Sequence, residues 1–162
     1  MPARRGARSD HGVTYAPPAG PTDALPPFRF SAFMRVGFDE TDAQAVVYYG
    51  RYLPYFDRSR VEYQRHLRLL HGLPDDQQFV MRRSSQEYEA PARFDDLLEV
   101  FVRTARIGRT STTLEYRVRK SEDETLLAVA EQVMVLIDAE SRRPIDVPAS
   151  WRAAVEHFEG AL

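Results

Sequence analysis

Between Gly37 and Tyr52 the chain reads Gly37-Phe38-Asp39-Glu40-Thr41-Asp42-Ala43-Gln44-Ala45-Val46-Val47-Tyr48-Tyr49-Gly50-Arg51-Tyr52, and this stretch holds the residue types best suited to chemistry. A carboxylate, Asp42, stands shortly before an apolar run that leads into a predicted helix start. Asp42 can serve as a general base or as a nucleophile. The first backbone N–H groups of a helix have no acceptor within it, so those near Tyr49 and Gly50 can receive a developing oxyanion. The plainer alternative is a turn or capping aspartate, since acidic residues before helices are common; spacing alone leaves both open.

Other catalytic sets are poorly provided for. The four histidines are His11, His66, His71 and His157, and none falls in this segment. That disfavours a histidine–carboxylate dehydratase and a Ser-His-Asp hydrolase; Ser31 and Ser59 also lack a nucleophile-elbow context. The absence of cysteine removes disulfides, thiolate metal sites and a cysteine nucleophile. No metal-ligand spacing occurs, and no cofactor is expected.

The elements that must position Asp42 follow from periodicity. Phe28 to Phe38, rich in aromatic and β-favouring residues, predicts a strand. From about Gly50 to His71, Tyr52, Phe56, Tyr63, Leu67 and Leu70 recur at helical spacing, with Arg51, Asp57, Arg58, Arg65 and Arg68 on much of the other face. This predicts an amphipathic helix of about five turns, with Pro54 tolerated near its start and Gly72 and Pro74 as the stop. Residues 79–90 and 96–107 predict two strands separated by a turn at Ala90-Pro91-Ala92. Residues 112–119 alternate with period two, and 125–138 are apolar on both faces, as in a central strand. Pro148 begins a short helix with Trp151, Val155 and Phe158. One long helix followed by an antiparallel meander is an α+β pattern, with the sheet wrapped around the helix.

Length and composition set the frame. A chain of 162 residues, 43% hydrophobic and 28% charged, suits one globular domain. Residues 1–27 carry six prolines and few large apolar residues, which predicts a disordered N-terminal tail, with the folded domain over 28–162. A net charge of −2 argues against a nucleic-acid partner. There is no signal-peptide pattern and no apolar run long enough to span a membrane, so a cytoplasmic location is expected. Lys120 is the only lysine; arginine grips phosphates bidentately, although the arginines are spread along the whole chain.

The segment from Phe38 to Glu62, FDETDAQAVVYYGRYLPYFDRSRVE, resembles the signature of the 4-hydroxybenzoyl-CoA thioesterase family of hotdog-fold proteins: an acidic core, a small-residue step, a V-V-Y-like run, then a helix bearing arginines and acids. The resemblance covers roughly residues 29–140 and extends to Tyr88–Asp96 and to Ile107–Ser111. It implies a hotdog fold, a five-stranded antiparallel sheet around one long helix, and hydrolysis of an acyl-CoA to free acid and CoA. Asp42 matches the family's catalytic carboxylate, and Tyr49 the position whose backbone N–H polarises the thioester carbonyl; the Gly50 N–H lies beside it. The hairpin with Arg109 would lie near the nucleotide, and Arg106, Arg83 and Arg82 are further candidates for the CoA phosphates. A homo-oligomer, dimer or tetramer, with sites at the dimer interface is implied as well. The chain departs from the family at Ala45, where glycine is frequent. It also lacks the histidine at position 49 and tyrosine at position 38 of a second branch, the acyl-CoA thioesterases encoded beside the Tol–Pal envelope genes.

Alternatives remain. The same fold could release acyl chains from an acyl carrier protein in polyketide or fatty-acid synthesis. A non-catalytic acyl-CoA sensor would need a DNA-binding segment, for which residues 1–27 are too short and proline-rich. An inactive structural protein would have little use for Asp42 in its acidic loop. Tyr48, Tyr52, Tyr55 and Phe79 are candidates for the acyl pocket, or for core; Arg58, Arg60 and Glu62 read as a solvated or subunit-facing helix surface.

Overall fold

The computed structural model describes residues 16–162. In chain order the elements are β1 (Gly20–Leu25), β2 (Phe28–Arg35), α1 (Tyr52–His66), β3 (Gln77–Tyr88), β4 (Leu97–Ile107), β5 (Ser111–Lys120), β6 (Leu126–Asp138) and α2 (Ala149–Glu159). Single turns of 3-10 helix, Phe38–Glu40 and Tyr49–Arg51, lie between β2 and α1. All strand pairs are antiparallel, in the order β1-β2-β4-β5-β6-β3. The sheet curves round α1, which packs on β2 and β4. This is the expected hotdog arrangement, with one strand more than the five anticipated.

The alternation seen in the sequence becomes the inner face of the sheet. Phe30, Ala32 and Met34 of β2, Leu98, Val100 and Val102 of β4, and Leu114, Tyr116 and Val118 of β5 are buried against Tyr52, Tyr55, Phe56 and Tyr63 of α1. Phe56 meets Tyr116 with ring centroids 4.8 Å apart. A smaller cluster, Leu69, Leu136, Val147, Trp151 and Val155, docks α2 at the far end of the sheet.

Three sequence expectations are corrected. Residues Gly20–Leu25, placed in the disordered tail, form β1 on the edge of β2. Composition missed this strand because little of it is buried; its backbone ladder holds it, and Pro21 is tolerated on an edge strand. Residues 1–15 of the expected tail lie outside the described residues. Secondly, α1 stops at Leu67, before Gly72. Arg68 adopts the left-handed conformation (φ 60°), with Leu69 N–H bonded to Gln64 C=O at 2.7 Å and Arg68 N–H to Arg65 C=O at 3.0 Å. That is a Schellman ending with arginine where glycine is usual, and buried Leu69 supplies its apolar contact. Finally, the strands on either side of Ala90-Pro91-Ala92 are not neighbours. β3 lies beyond β6 on the opposite edge, and residues 89–96 cross the end of the sheet, tied by Glu89 N–H to Leu127 C=O (2.8 Å), Val47 N–H to Ala92 C=O (2.8 Å) and Asp95 N–H to Val36 C=O (3.1 Å).

Candidate functional site

Asp42 occupies a tight loop at the end of the sheet where β2 finishes, β4 begins and β3 ends. Its backbone N–H donates to Val46 C=O, and its C=O accepts from Ala45 N–H, both at 2.9 Å. Closing this loop puts Ala45 at φ 58°, a region that glycine enters without penalty and alanine does not. The conformation fits the glycine that is frequent at this position in the family the segment resembles. One carboxylate oxygen, Oδ1, accepts Gln44 N–H at 2.8 Å, an Asx turn. Oδ2 has no hydrogen-bond donor among the described residues. The turn role and a chemical role are therefore compatible: one oxygen fixes the side chain and the other stays available.

The chain then doubles back. Thr41 and Val47 form an isolated antiparallel bridge, and Tyr48 N–H donates to Glu40 C=O at 2.9 Å. This hairpin-like return delivers the 3-10 turn Tyr49–Arg51, continuous with α1, to the side of the Asp42 loop. The N–H groups of Tyr49 and Gly50 open that turn and have no acceptor within it. The carbonyls of the same two peptide units are engaged. Arg51 N–H donates to Tyr48 C=O at 2.8 Å, and the Tyr88 hydroxyl donates to Tyr49 C=O at 3.1 Å. A hydrogen bond to a peptide carbonyl polarises the unit and makes its N–H a better donor.

Asp42, Val46, Val47, Tyr49, Tyr52 and Tyr88 line one open cleft of about 370 Å³, to which Glu89-Ala90-Pro91 also contribute. The wall is aromatic: Tyr52 and Tyr88 meet edge to face at 5.2 Å, and Tyr49 and Tyr88 at 6.5 Å. Burial pushes the Tyr52 hydroxyl up to about 12, with the neighbouring Tyr88 adding to the effect, so at neutral pH it presents a neutral hydroxyl. No histidine lines the cleft, and the described residues contain no group of three or more His, Cys, Asp or Glu able to hold a metal. The arrangement can supply a carboxylate and two N–H donors to a carbonyl held between tyrosine rings.

The other sequence candidates divide. Tyr48 is exposed, Tyr55 is fully buried, and Phe79 packs on Trp151 (5.1 Å) at the opposite end of the sheet. Arg83 is on β3, ion-paired to Glu131, with Arg82 exposed in the adjoining bulge. Arg106 and Arg109 are at the far end of β4, whose ten residue steps span roughly 30 Å, and Arg109 pairs with Asp146 at 2.7 Å. Within one chain they are thus distant from Asp42. Arg60 pairs with Asp57 at 3.0 Å, and Glu62 with Arg65. His66 packs against Phe30 and Phe158 at 5.5 and 5.2 Å.

Sequence reasoning missed one residue. Glu40, taken only as a neighbour of Asp42, is 8% exposed, and its Oε2 accepts both Gly37 N–H and the Tyr55 hydroxyl at 2.7 Å. The Gly37–Glu40 spacing of three, the reach-back half of a capping box, was the available signal for the first bond. Nothing in the sequence signalled the second.

The sequence pattern of the thioesterase-like superfamily matches residues 36–155. The acyl-CoA thioester hydrolase YbgC of Escherichia coli is 34% identical over 119 residues, 72% of this chain and 88% of that protein. The acyl-CoA thioesterase YbgC of Haemophilus influenzae is 32% identical over 133 residues, 80% and 96% of the two chains. Among solved structures, a 1,4-dihydroxy-2-naphthoyl-CoA thioesterase from Synechocystis superposes with a TM-score of 0.75 at 22% identity, covering 82% of this chain and 98% of that one; at that identity the likeness concerns the fold.

Proposed function

The chain belongs to the thioesterase-like superfamily, and from that premise we propose that it hydrolyses an acyl-CoA, with Asp42 as the catalytic carboxylate and the Tyr49 and Gly50 N–H groups as the oxyanion site. The observation that carries this reading is the convergence of the free Asp42 oxygen and the open start of the 3-10 turn on one aromatic-walled cleft. A thioester carbonyl is already electrophilic. It needs a nucleophile, either the carboxylate itself or a water that it deprotonates, and stabilisation of the charge that builds on oxygen; loss of one such donor typically costs about 10²–10³ in rate. The YbgC relatives are named for this activity.

The active form in this proposal is an oligomer. β3 is twelve residues long and, among the described residues, pairs only with β6, which leaves its outer edge unpaired by them, with Met81 and Tyr88 exposed; long open edges invite pairing. Antiparallel pairing of two β3 edges turns one sheet end for end against the other. It brings the second copy's Arg106 and Arg109 to the end occupied by Asp42, about four strand spacings, or ~19 Å, from the first copy's β3. That is within reach of the phosphates of a CoA whose thioester lies in the cleft. No described helix is long and apolar enough to cross a membrane.

The test is a panel of aromatic, short-chain and long-chain acyl-CoAs, each followed by thiol release, with one acyl group also offered on an acyl carrier protein. Turnover of at least one acyl-CoA is expected. Absence of hydrolysis across the panel would overturn the assignment, and turnover confined to the carrier-bound form would move the substrate to the carrier.

A further inference from the structure

We propose that Glu40, with Tyr55 as its partner, is a positioning residue that holds the Asp42 loop and the start of α1 in one register; the inference rests on the reading of Asp42 given above. A buried carboxylate is expensive unless its oxygens are occupied, and an apolar side chain would fill this place at lower cost. The Glu40 carboxylate is instead used. Oε2 takes the Gly37 N–H at the entry to the acidic loop and the hydroxyl of Tyr55, a fully buried residue one turn into α1. The main chain of the same residue takes Tyr48 N–H at 2.9 Å. One residue therefore joins the end of β2, the peptide ahead of the proposed oxyanion donors, and the body of the helix. Asp42 is two residues from Glu40, and Tyr49 one residue from Tyr48. Both groups assigned to the thioester are thus close along the chain to an atom that Glu40 fixes.

Such a tie matters because the two groups approach the carbonyl from separate segments. The Asp42 loop is held from outside itself chiefly by main-chain bonds at the return, Val47 N–H to Ala92 C=O and Tyr48 N–H to Glu40 C=O. Among the described residues, the Tyr55 hydroxyl is the one bond to this acidic segment from within α1, beside the longer bond from the Arg51 side chain at the helix start to Asp39 C=O (3.4 Å). A displacement of about 1 Å between reacting groups is enough to lower a rate by about 10²-fold. Substrate binding, which draws on the cleft wall and the CoA arm, does not depend on that register to the same degree. The signature of a positioning role is thus a fall in kcat with KM unchanged.

The experiment measures kcat, KM and the melting curve of Tyr55→Phe, Glu40→Gln and Glu40→Ala on the best acyl-CoA, each assayed below its own melting transition. Tyr63→Phe and Asp42→Asn are run beside them. Tyr55→Phe keeps the ring and deletes only the hydroxyl; kcat is expected to fall by about 10- to 100-fold, with KM within twofold of wild type. Glu40→Gln, whose amide oxygen can accept both bonds, is expected to retain kcat within a few-fold, and Glu40→Ala to lose at least as much as Tyr55→Phe. Tyr63→Phe removes another buried hydroxyl of α1, bonded to Thr104 and Glu159 away from the cleft, and should lower stability without the loss in kcat. The proposal is overturned if Tyr55→Phe and Glu40→Ala keep wild-type kcat, if KM rises instead, if Tyr63→Phe loses kcat equally, or if none of the Glu40 and Tyr55 variants folds, which would make the pair a feature of the fold alone. Asp42→Asn separates the two readings: an active Asp42→Asn removes the catalytic assignment itself, whereas an inactive one beside fully active Tyr55 and Glu40 variants removes only the positioning role.

Discussion

Replacing Asp42 by Asn removes a charge and keeps a shape, and the structure indicates what each change should do. In the wild-type loop Oδ1 accepts Gln44 N–H at 2.8 Å; the Asn oxygen accepts the same bond, so the Asx turn and the positive φ of Ala45 survive. Stability is then expected to change by less than about 1 kcal/mol, as for an accessible residue replaced isosterically. The other oxygen becomes an NH₂ group, which can neither attack a carbonyl nor take a proton from water. The Tyr49 and Gly50 N–H groups and the tyrosine walls are untouched, so substrate should bind with KM within a few-fold. Loss of a base or nucleophile typically lowers turnover by about 10²–10⁴-fold, equivalent to about 2.7–5.4 kcal/mol of transition-state stabilisation at 1.36 kcal/mol per decade. The assay is steady-state thiol release, with a melting curve on the same preparation. A folded Asp42→Asn with near wild-type kcat would refute the catalytic assignment. A protein that no longer melts cooperatively would show that the turn was the main role of the side chain.

Further outcomes follow from particular contacts. Ala45→Gly relieves a left-handed alanine, about 1–2 kcal/mol, against about 0.5–1 kcal/mol of added chain entropy in the unfolded state; a rise in Tm of a few degrees is expected, and a fall would contradict the loop geometry. Tyr88→Phe deletes one of the two bonds to Tyr49 C=O and leaves that from Tyr52 N–H; at about 1 kcal/mol for a neutral hydrogen bond, kcat should drop about fivefold, and an unchanged rate would show that this carbonyl needs no support beyond the Tyr52 N–H. Deleting residues 1–27 takes β1 from the edge of β2 and should lower Tm by roughly 2–8 °C, for an edge strand worth about 1–2 kcal/mol; an unaltered melt would restore the expectation of a disordered tail over this whole segment. Burial lifts the Glu159 carboxyl above its ordinary 4.5, so the folded protein holds that proton more tightly than the unfolded chain. Its contribution to stability is therefore greatest below 4.5 and declines as pH rises through the folded value. Glu159→Gln keeps an acceptor for Tyr63 and Thr104 but does not titrate. Unfolding free energies of the two proteins should diverge in favour of the variant between pH 4 and 8, and a constant difference would contradict this.

Much of the architecture was readable because it rests on periodicity. Alternation in β5 and the helical spacing of Tyr52, Phe56 and Tyr63 reflect which side chains meet the core, and burial enforces that wherever the chain ends up. β1 was not readable, because main-chain bonds along an edge hold it and composition does not record them. Nor was the end of α1, since nothing local marks Arg68 for a left-handed conformation that glycine usually takes. Strand order escaped as well: the separation of β3 from β4 is a long-range choice, invisible in a turn at Ala90-Pro91-Ala92. At the site, the carboxylate and the helix start were adjacent in sequence and came together as expected. Glu40 with Tyr55 and Tyr88 with Tyr49 bridge fifteen and thirty-nine positions, and no spacing rule reaches that far.

Tyr88 is the last residue of β3, the strand whose outer edge the described residues of a single chain leave open. Terminal residues of edge strands fray most readily, because each lost ladder bond is replaced by one to water. The hydroxyl bonded to the Tyr49–Gly50 peptide therefore hangs from the end of a strand held on one side, by β6 and by Glu89 N–H on Leu127 C=O, with its other side open among the described residues. Anything that covers the edge steadies that anchor without touching the cleft, and the free energy of association is partly spent on aligning the donor. Turnover per chain should then fall on dilution, as a titration of assembly, before any loss of folded protein.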